Sequence, residues 1–127
     1  MGEKILIIDD DLGLSGILKA ALEQAEYEVF LAETAAKGIE MAENENPSLI
    51  LLDFMLPDQN GIDVLKKLKE NEKTKNIPVT ILSNFAQENT IKQSLNDGAI
   101  EFWIKYQVGP EDIIDKVKTV LNESKSA

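Results

Sequence analysis

A chain of 127 residues with 43% hydrophobic content suits one compact domain with a real core. Its formal net charge is −10, all thirteen basic residues are Lys, and neither Cys nor His occurs. Disulfides, thiolate sites, Cys nucleophiles, His bases and phosphohistidine are thereby excluded, and any bound metal should be a hard cation held by oxygen.

In chain order, the first short apolar run is Lys4–Ile8, which reads as a strand and runs into Asp9, Asp10 and Asp11. Leu14, Ile17, Leu18, Ala21, Leu22 and Ala25 then fall on one helical face, with Asp11 placed to cap its start. A second strand is predicted over Tyr27–Leu31, ending at Glu33 on the sheet edge. Thr34 should cap a helix through Ala35, Ala36, Ile39 and Ala42 that stops before Pro47. The run Ser48–Leu52 delivers Asp53, and Ile62, Leu65 and Leu68 mark a third helix after Asn60-Gly61. A strand over Ile77–Leu82 leads to Ser83 and Asn84, followed by a weaker helix over Gln87–Asn96 that ends at Gly98. Phe102–Ile104 is the last strand and ends in Lys105. Pro110 opens a fifth helix whose core face is Ile113, Ile114, Val117, Val120 and Leu121.

Strand and helix thus alternate five times, the pattern of an α/β domain with a parallel sheet covered on both faces. Residues 1–127 read as a single domain, either free-standing or a piece of a longer protein. In such folds ligands sit beyond the carboxyl ends of the strands. Those ends carry Asp9-Asp10, Asp53, Ser83-Asn84 and Lys105. If the first and third strands are neighbours, three carboxylates converge, and two carboxylates about 5 Å apart repel by roughly 3 kcal/mol at an effective dielectric near 20. A divalent cation is the natural compensation, with Lys105 as a second positive charge. One carboxylate of such a cluster can attack an activated phosphoryl group, with a hydroxyl such as Ser83 donating to it.

Four segments, "IIDD", "LLDFMLPDQNG", "ILSN" and "FWIK", occur in this order on the expected elements. Together they resemble the receiver domain of response regulators, the phosphoacceptor module of two-component signalling. The resemblance covers nearly the whole chain and implies a flavodoxin-like receiver fold, a five-stranded parallel sheet flanked by five helices with strand order 2-1-3-4-5. It makes Asp53 the phosphorylated residue, a signalling phosphoacceptor rather than an enzyme on other substrates. Asp10, Asp53 and the Met55 carbonyl become direct ligands of Mg²⁺ (or Mn²⁺), and Asp9 a ligand through water. It also makes Ser83 the hydroxyl switch, Lys105 the partner of the phosphoryl group and Phe102 the aromatic switch. Phosphorylation is then expected to change the surface of the fourth helix, fifth strand and fifth helix. Trp103, alternating with Phe102, is expected to pack on the opposite side of its strand.

Three positions depart from the family's habit. Tyr106 follows Lys105 where Pro is usual, and a cis bond there would cost about 3–4 kcal/mol, so the bond is expected to be trans. Asn84 stands where a small residue is common. Met55 and Phe85 are apolar at positions that tune acyl-phosphate lifetime, which predicts slow self-dephosphorylation.

The implied partners are a histidine kinase or histidine phosphotransferase and an unnamed downstream protein, with a homodimer left open. Acidity without Arg argues against direct nucleic-acid binding, and the lack of a membrane-length apolar run or signal-peptide pattern argues for the cytoplasm and against a membrane. Two rivals compete. Asp9-x-Asp11 after a strand also resembles the opening of haloacid-dehalogenase-like phosphatases, with Asp9 as nucleophile, but no late acidic pair follows and "DFMLPDQNG" goes unexplained. The other is a degenerate receiver that binds partners without phosphate.

Overall fold

Continuous apolar runs such as Ile5–Ile8 and Leu49–Leu52 cannot present one polar face to water, so they favour strands covered on both sides. The structure, a computed structural model, describes residues 2–84, 87–105 and 109–126, with side chains up to Asn122. Its elements are β1 (Lys4–Ile8), α1 (Leu12–Gln24), β2 (Glu28–Ala32), α2 (Ala35–Glu45), β3 (Leu49–Asp53), α3 (Gly61–Glu70), β4 (Val79–Ser83), α4 (Glu88–Asn96), β5 (Glu101–Ile104) and α5 (Pro110–Ser126). The five strands are parallel in the order β2-β1-β3-β4-β5. This is the expected receiver fold.

Strand limits shift by a residue or two from the apolar runs, for identifiable reasons. The Tyr27 amide donates to the Leu22 carbonyl in the turn after α1, so β2 starts at Glu28. Pro78 has no amide to give, so β4 starts at Val79, although the Pro78 carbonyl accepts from Ile50. β3 runs on to include Asp53, which lies opposite Leu82.

Alternate residues of the buried strands feed two cores. Leu6, Ile8, Ile50, Leu52, Val79 and Ile81 meet α2 and α3 through Ala35, Ala42, Val64, Leu65 and Leu68. Ile5, Ile7, Leu49, Leu51 and Leu82 meet α1 and α5 through Leu18, Leu22, Ile113, Val117 and Val120. Trp103 joins this second core, while Phe102 packs against the first, so the two aromatics do face opposite sides.

The helix starts follow capping chemistry. Asp11 accepts from the Leu14 amide (3.2 Å) and Thr34 from Lys37 (3.1 Å), as expected. Asn60 accepts from Asp63 (2.9 Å) and so caps α3, a role its sequence position did not advertise beyond the Asn-Gly pair. α2 ends at Asn46 in a left-handed conformation, just before Pro47, and α4 is closed by Gly98 at φ +114°. Gly61 opens α3 where a Cβ would meet the Phe54 Cα at 2.8 Å and the Asp53 carbonyl at 2.9 Å. Only a residue without a side chain lets the helix start this close to the end of β3.

Candidate functional site

The parallel register lines up the strand ends. Ile8 pairs with Leu52, so Asp9 and Asp53 emerge side by side on the two central strands. The Asp9 amide still donates to the Ala32 carbonyl, and the Phe54 amide to Leu82, so both acids leave backbone that is held by the sheet. Ser83 ends β4 opposite Ile104, and Lys105 follows directly on β5. Asp9, Asp10, Asp53, Ser83 and Lys105 therefore come together at one end of the sheet, as anticipated.

Asp9 and Asp53 are buried, Asp10 is exposed, and each offers a carboxylate oxygen within 4.8 Å of the others. The Lys105 ammonium bridges the buried pair, 2.8 Å from Asp9 Oδ2 and 3.4 Å from Asp53 Oδ1. Asp9 Oδ1 accepts from the Asp11 amide (2.9 Å), and Asp53 Oδ1 from the Met55 amide (3.4 Å). Three carboxyl groups face a single ammonium, so negative charge is left in excess.

The energetics show this imbalance. Burial, then the neighbouring Asp9 charge, push the Asp53 carboxyl up to about 6, against the opposing pull of Lys105. Burial alone would lower the Lys105 ammonium, but Asp9 and Asp53 outweigh it and raise it above its ordinary value. A cluster of hard oxygen donors with uncompensated negative charge fits a divalent cation of the Mg²⁺ type.

The cluster opens to solvent through a cleft of about 250 Å³ lined by Asp10, Asp53, Met55, Ser83, Asn84 and Lys105, among others. Met55 is 58% exposed at its mouth. Ser83 also borders a second cavity of about 220 Å³, shared with Phe54, Gln87 and Thr90 on the α4 side. Phe102 is half-buried. The expectations for Phe85 and for the Lys105-Tyr106 bond lie outside the described residues.

The sequence profile described as the response regulator receiver domain matches residues 5–118. The chain belongs to this family. The receiver is 34% identical over 124 residues to the phosphate regulon transcriptional regulatory protein PhoB of Pseudomonas aeruginosa, covering 98% of this chain and 54% of that protein. It is 32% identical over 126 residues to the transcriptional regulatory protein SrrA of Staphylococcus aureus, covering 99% and 51%. The chain thus spans about half the length of these curated relatives. Among solved structures, a CheY-like receiver domain protein from Methanospirillum hungatei superposes with a TM-score of 0.91 at 33% identity, over 99% and 98% of the two chains. The signal receiver domain of a Luxo repressor protein from Vibrio parahaemolyticus follows at 0.89 and 26%, over 98% and 94%.

The receiver's pocket of Asp9, Asp10 and Asp53 fits a phosphoacceptor site of two-component signalling. Receiver domains are signalling phosphoacceptors that bind Mg²⁺ at such an acidic pocket, and response regulators work with histidine kinases and downstream targets. Neither the phosphatase reading with Asp9 as nucleophile nor the degenerate receiver finds support in these likenesses. No helix among the described residues is long and apolar enough to cross a membrane.

Missing from the sequence reading is Asp58. Its carboxylate accepts from Ala35 (2.8 Å) and Ala36 (3.1 Å), the first amides of α2. Those two bonds, the Ala35 one foremost, hold the Asp58 carboxyl below the usual carboxylate range.

Proposed function

We propose that Asp53 accepts a phosphoryl group from a histidine kinase or histidine phosphotransferase, and that the receiver catalyses only its own phosphorylation and dephosphorylation. The observation that carries this reading is the Lys105 ammonium spanning Asp9 and Asp53 beside an open cleft. An Asp53 carboxylate oxygen attacks phosphorus, the bond to the donor's leaving group breaks, and an acyl phosphate remains on Asp53. Lys105 is already within reach of Asp53 and can follow the new charge onto the phosphoryl oxygens. Ser83, at the cleft wall, donates its hydroxyl to the same group.

Asp10, Asp53 and the Met55 carbonyl would hold Mg²⁺ or Mn²⁺ directly, with Asp9 behind them. Supporting this division, Asp9 is buried and committed to Lys105 and the Asp11 amide, whereas Asp10 faces the cleft. When bound, the cation neutralises charge on the transferring group. Occupation of the site then draws Ser83 away from the α4-side cavity, and Phe102 turns further inward. The face of α4, β5 and α5 shifts between two populations with different partner affinity. The partner is a downstream protein or a second copy of the receiver, in the cytoplasm, and the receiver itself makes no direct nucleic-acid or membrane contact. A net charge of −10 without Arg supports that last point. Because Met55 lines the cleft with an apolar side chain, self-dephosphorylation is slow, and a phosphoryl half-life of seconds would sink that part.

Intact-mass measurement after treatment with a small acyl-phosphate donor and Mg²⁺ tests the central claim. The wild type gains one phosphoryl group and Asp53→Asn gains none. Labelling that survives Asp53→Asn but not Asp9→Asn would overturn it.

A further inference from the structure

The segment that joins β3 to α3 carries Met55, and it is pinned at several points. Met55 and Asn60 face each other in an antiparallel bridge, and the Leu56 amide donates to the Gln59 carbonyl. The base is closed by the Gly61 amide donating to the Phe54 carbonyl. At the tip, Lys67 of α3 donates to the Gln59 side chain (2.8 Å). The remaining tie leaves the segment altogether: both oxygens of Asp58 accept amides of α2, 23 and 22 residues away.

This last tie is the one that joins the Met55 side of the cleft to α2, while Leu56 packs against the first core. α2 is itself fixed, because Gly38 lets it run so close to β1 that a Cβ there would lie 2.5 Å from Ile8 Cδ1. β1 in turn ends in Asp9 and Asp10. A short chain of contacts therefore runs from the Asp10 side of the cleft, through β1 and α2, to Asp58 and back to Met55. The Thr34 hydroxyl caps the same helix by accepting from the Lys37 amide, a bond made within α2. The two caps of α2 are thus separable: one serves only the helix, the other joins the helix to the site.

We infer that Asp58 is a positioning residue for the cation site: by gripping the first two amides of α2 it sets the distance between the Met55 carbonyl and the Asp10 and Asp53 carboxylates. The inference rests on the metal-holding role proposed above for Met55. A charged acceptor on two helix amides is a strong, directional anchor. Without it the segment keeps its internal bonds, the Leu56 packing and the Gln59 to Lys67 contact on the exposed side of α3, but loses its tie to α2.

Mn²⁺ affinity, read from the electron paramagnetic resonance of the free ion, together with thermal melting in metal-free buffer, tests it on five proteins. Relative to wild type, Asp58→Ala should raise the Mn²⁺ dissociation constant by about 10-fold, the low end for residues that orient metal-binding groups from outside. Asp58→Asn, which keeps one neutral acceptor oxygen, should fall between the two and covers the case in which the Ala variant does not fold. Thr34→Ala should lower the melting temperature and leave the Mn²⁺ affinity unchanged. Unchanged affinity in both Asp58 variants, or an equal loss in Thr34→Ala, overturns the inference and leaves the site reading intact. A wild type whose Mn²⁺ affinity is not reduced by Asp53→Asn overturns the site reading, and the inference with it.

Discussion

α3 and α4 lie on the same side of the sheet and follow the strands that end in Asp53 and Ser83, yet they are held very differently. α3 buries Gly61, Ile62, Val64, Leu65 and Leu68 and starts with the Asn60 cap. Its far end is gripped by Thr74, whose hydroxyl donates to the Leu68 carbonyl (2.6 Å), and by Lys69, which donates to the Ile77 carbonyl (2.7 Å). α4 buries Ser94 alone, and Gln87 gives it no side-chain cap. β3, which ends in Asp53, is thus followed by a rigid anchor and β4, which ends in Ser83, by a lightly held helix. If Ser83 acts as the hydroxyl switch proposed above, its movement has little packing to overcome before it shifts α4, whereas α3 holds the Asp53 end of β3 in place.

The largest test of this contrast is Leu68→Ala. Leu68 is fully buried in the first core, so the change should cost roughly 2–5 kcal/mol in urea denaturation. A loss no greater than that of an α4 variant would erase the distinction.

Next comes Asp53 itself. Its carboxyl is raised in the folded state, so folding favours the protonated form. Stability from this group is complete below the unfolded value near 3.8 and is lost as pH rises through about 6. Over that interval of about two pH units the loss is roughly 3 kcal/mol at 1.36 kcal/mol per unit. In metal-free buffer at neutral pH, Asp53→Asn should therefore be more stable than wild type by up to about that amount, with the gain vanishing below pH 4. Denaturation midpoints measured across pH check it, and a flat difference would show that the strand end carries no electrostatic strain.

The smallest expected effect belongs to α4. Ile91 is half-buried there, and Ile91→Ala should cost about 1 kcal/mol or less. Hydrogen exchange of α4 amides should in turn outpace that of α3 amides by orders of magnitude, and equal protection of the two helices would break the comparison.

Local patterns made much of this legible in advance. Continuous apolar runs marked the central strands, and the caps at Asp11 and Thr34 follow from side chains three residues before their amide partners. The site could be assembled because a parallel sheet sends every strand end to one edge, so Asp9, Asp10, Asp53, Ser83 and Lys105 needed only the right strand order. Less visible was anything that depends on two distant segments meeting. Asp58 sits beside Pro57 in what looks like an ordinary turn, and its partners are more than twenty residues back. The same holds for Gly38, which as a lone Gly in a helix reads as a weak point until Ile8 is seen beneath it. Lys105 was expected to meet the phosphoryl group, but its resting partnership with both Asp9 and Asp53 is a matter of three-dimensional spacing.

The grip of Asp58 on α2 also dates itself within folding. Residues 35 and 58 are brought together by the docking of α2 on β1 and the pairing of β3 with β1, so φ-values at Asp58 are expected to be near zero. On that expectation, the closure entropy of the loop is met by the strand pairing first, and the bond forms in the last steps rather than in the nucleus. Contacts that form late hold back unfolding more than they hasten folding. The same carboxylate therefore acts as a latch on the finished domain, set after the chain has already chosen its shape.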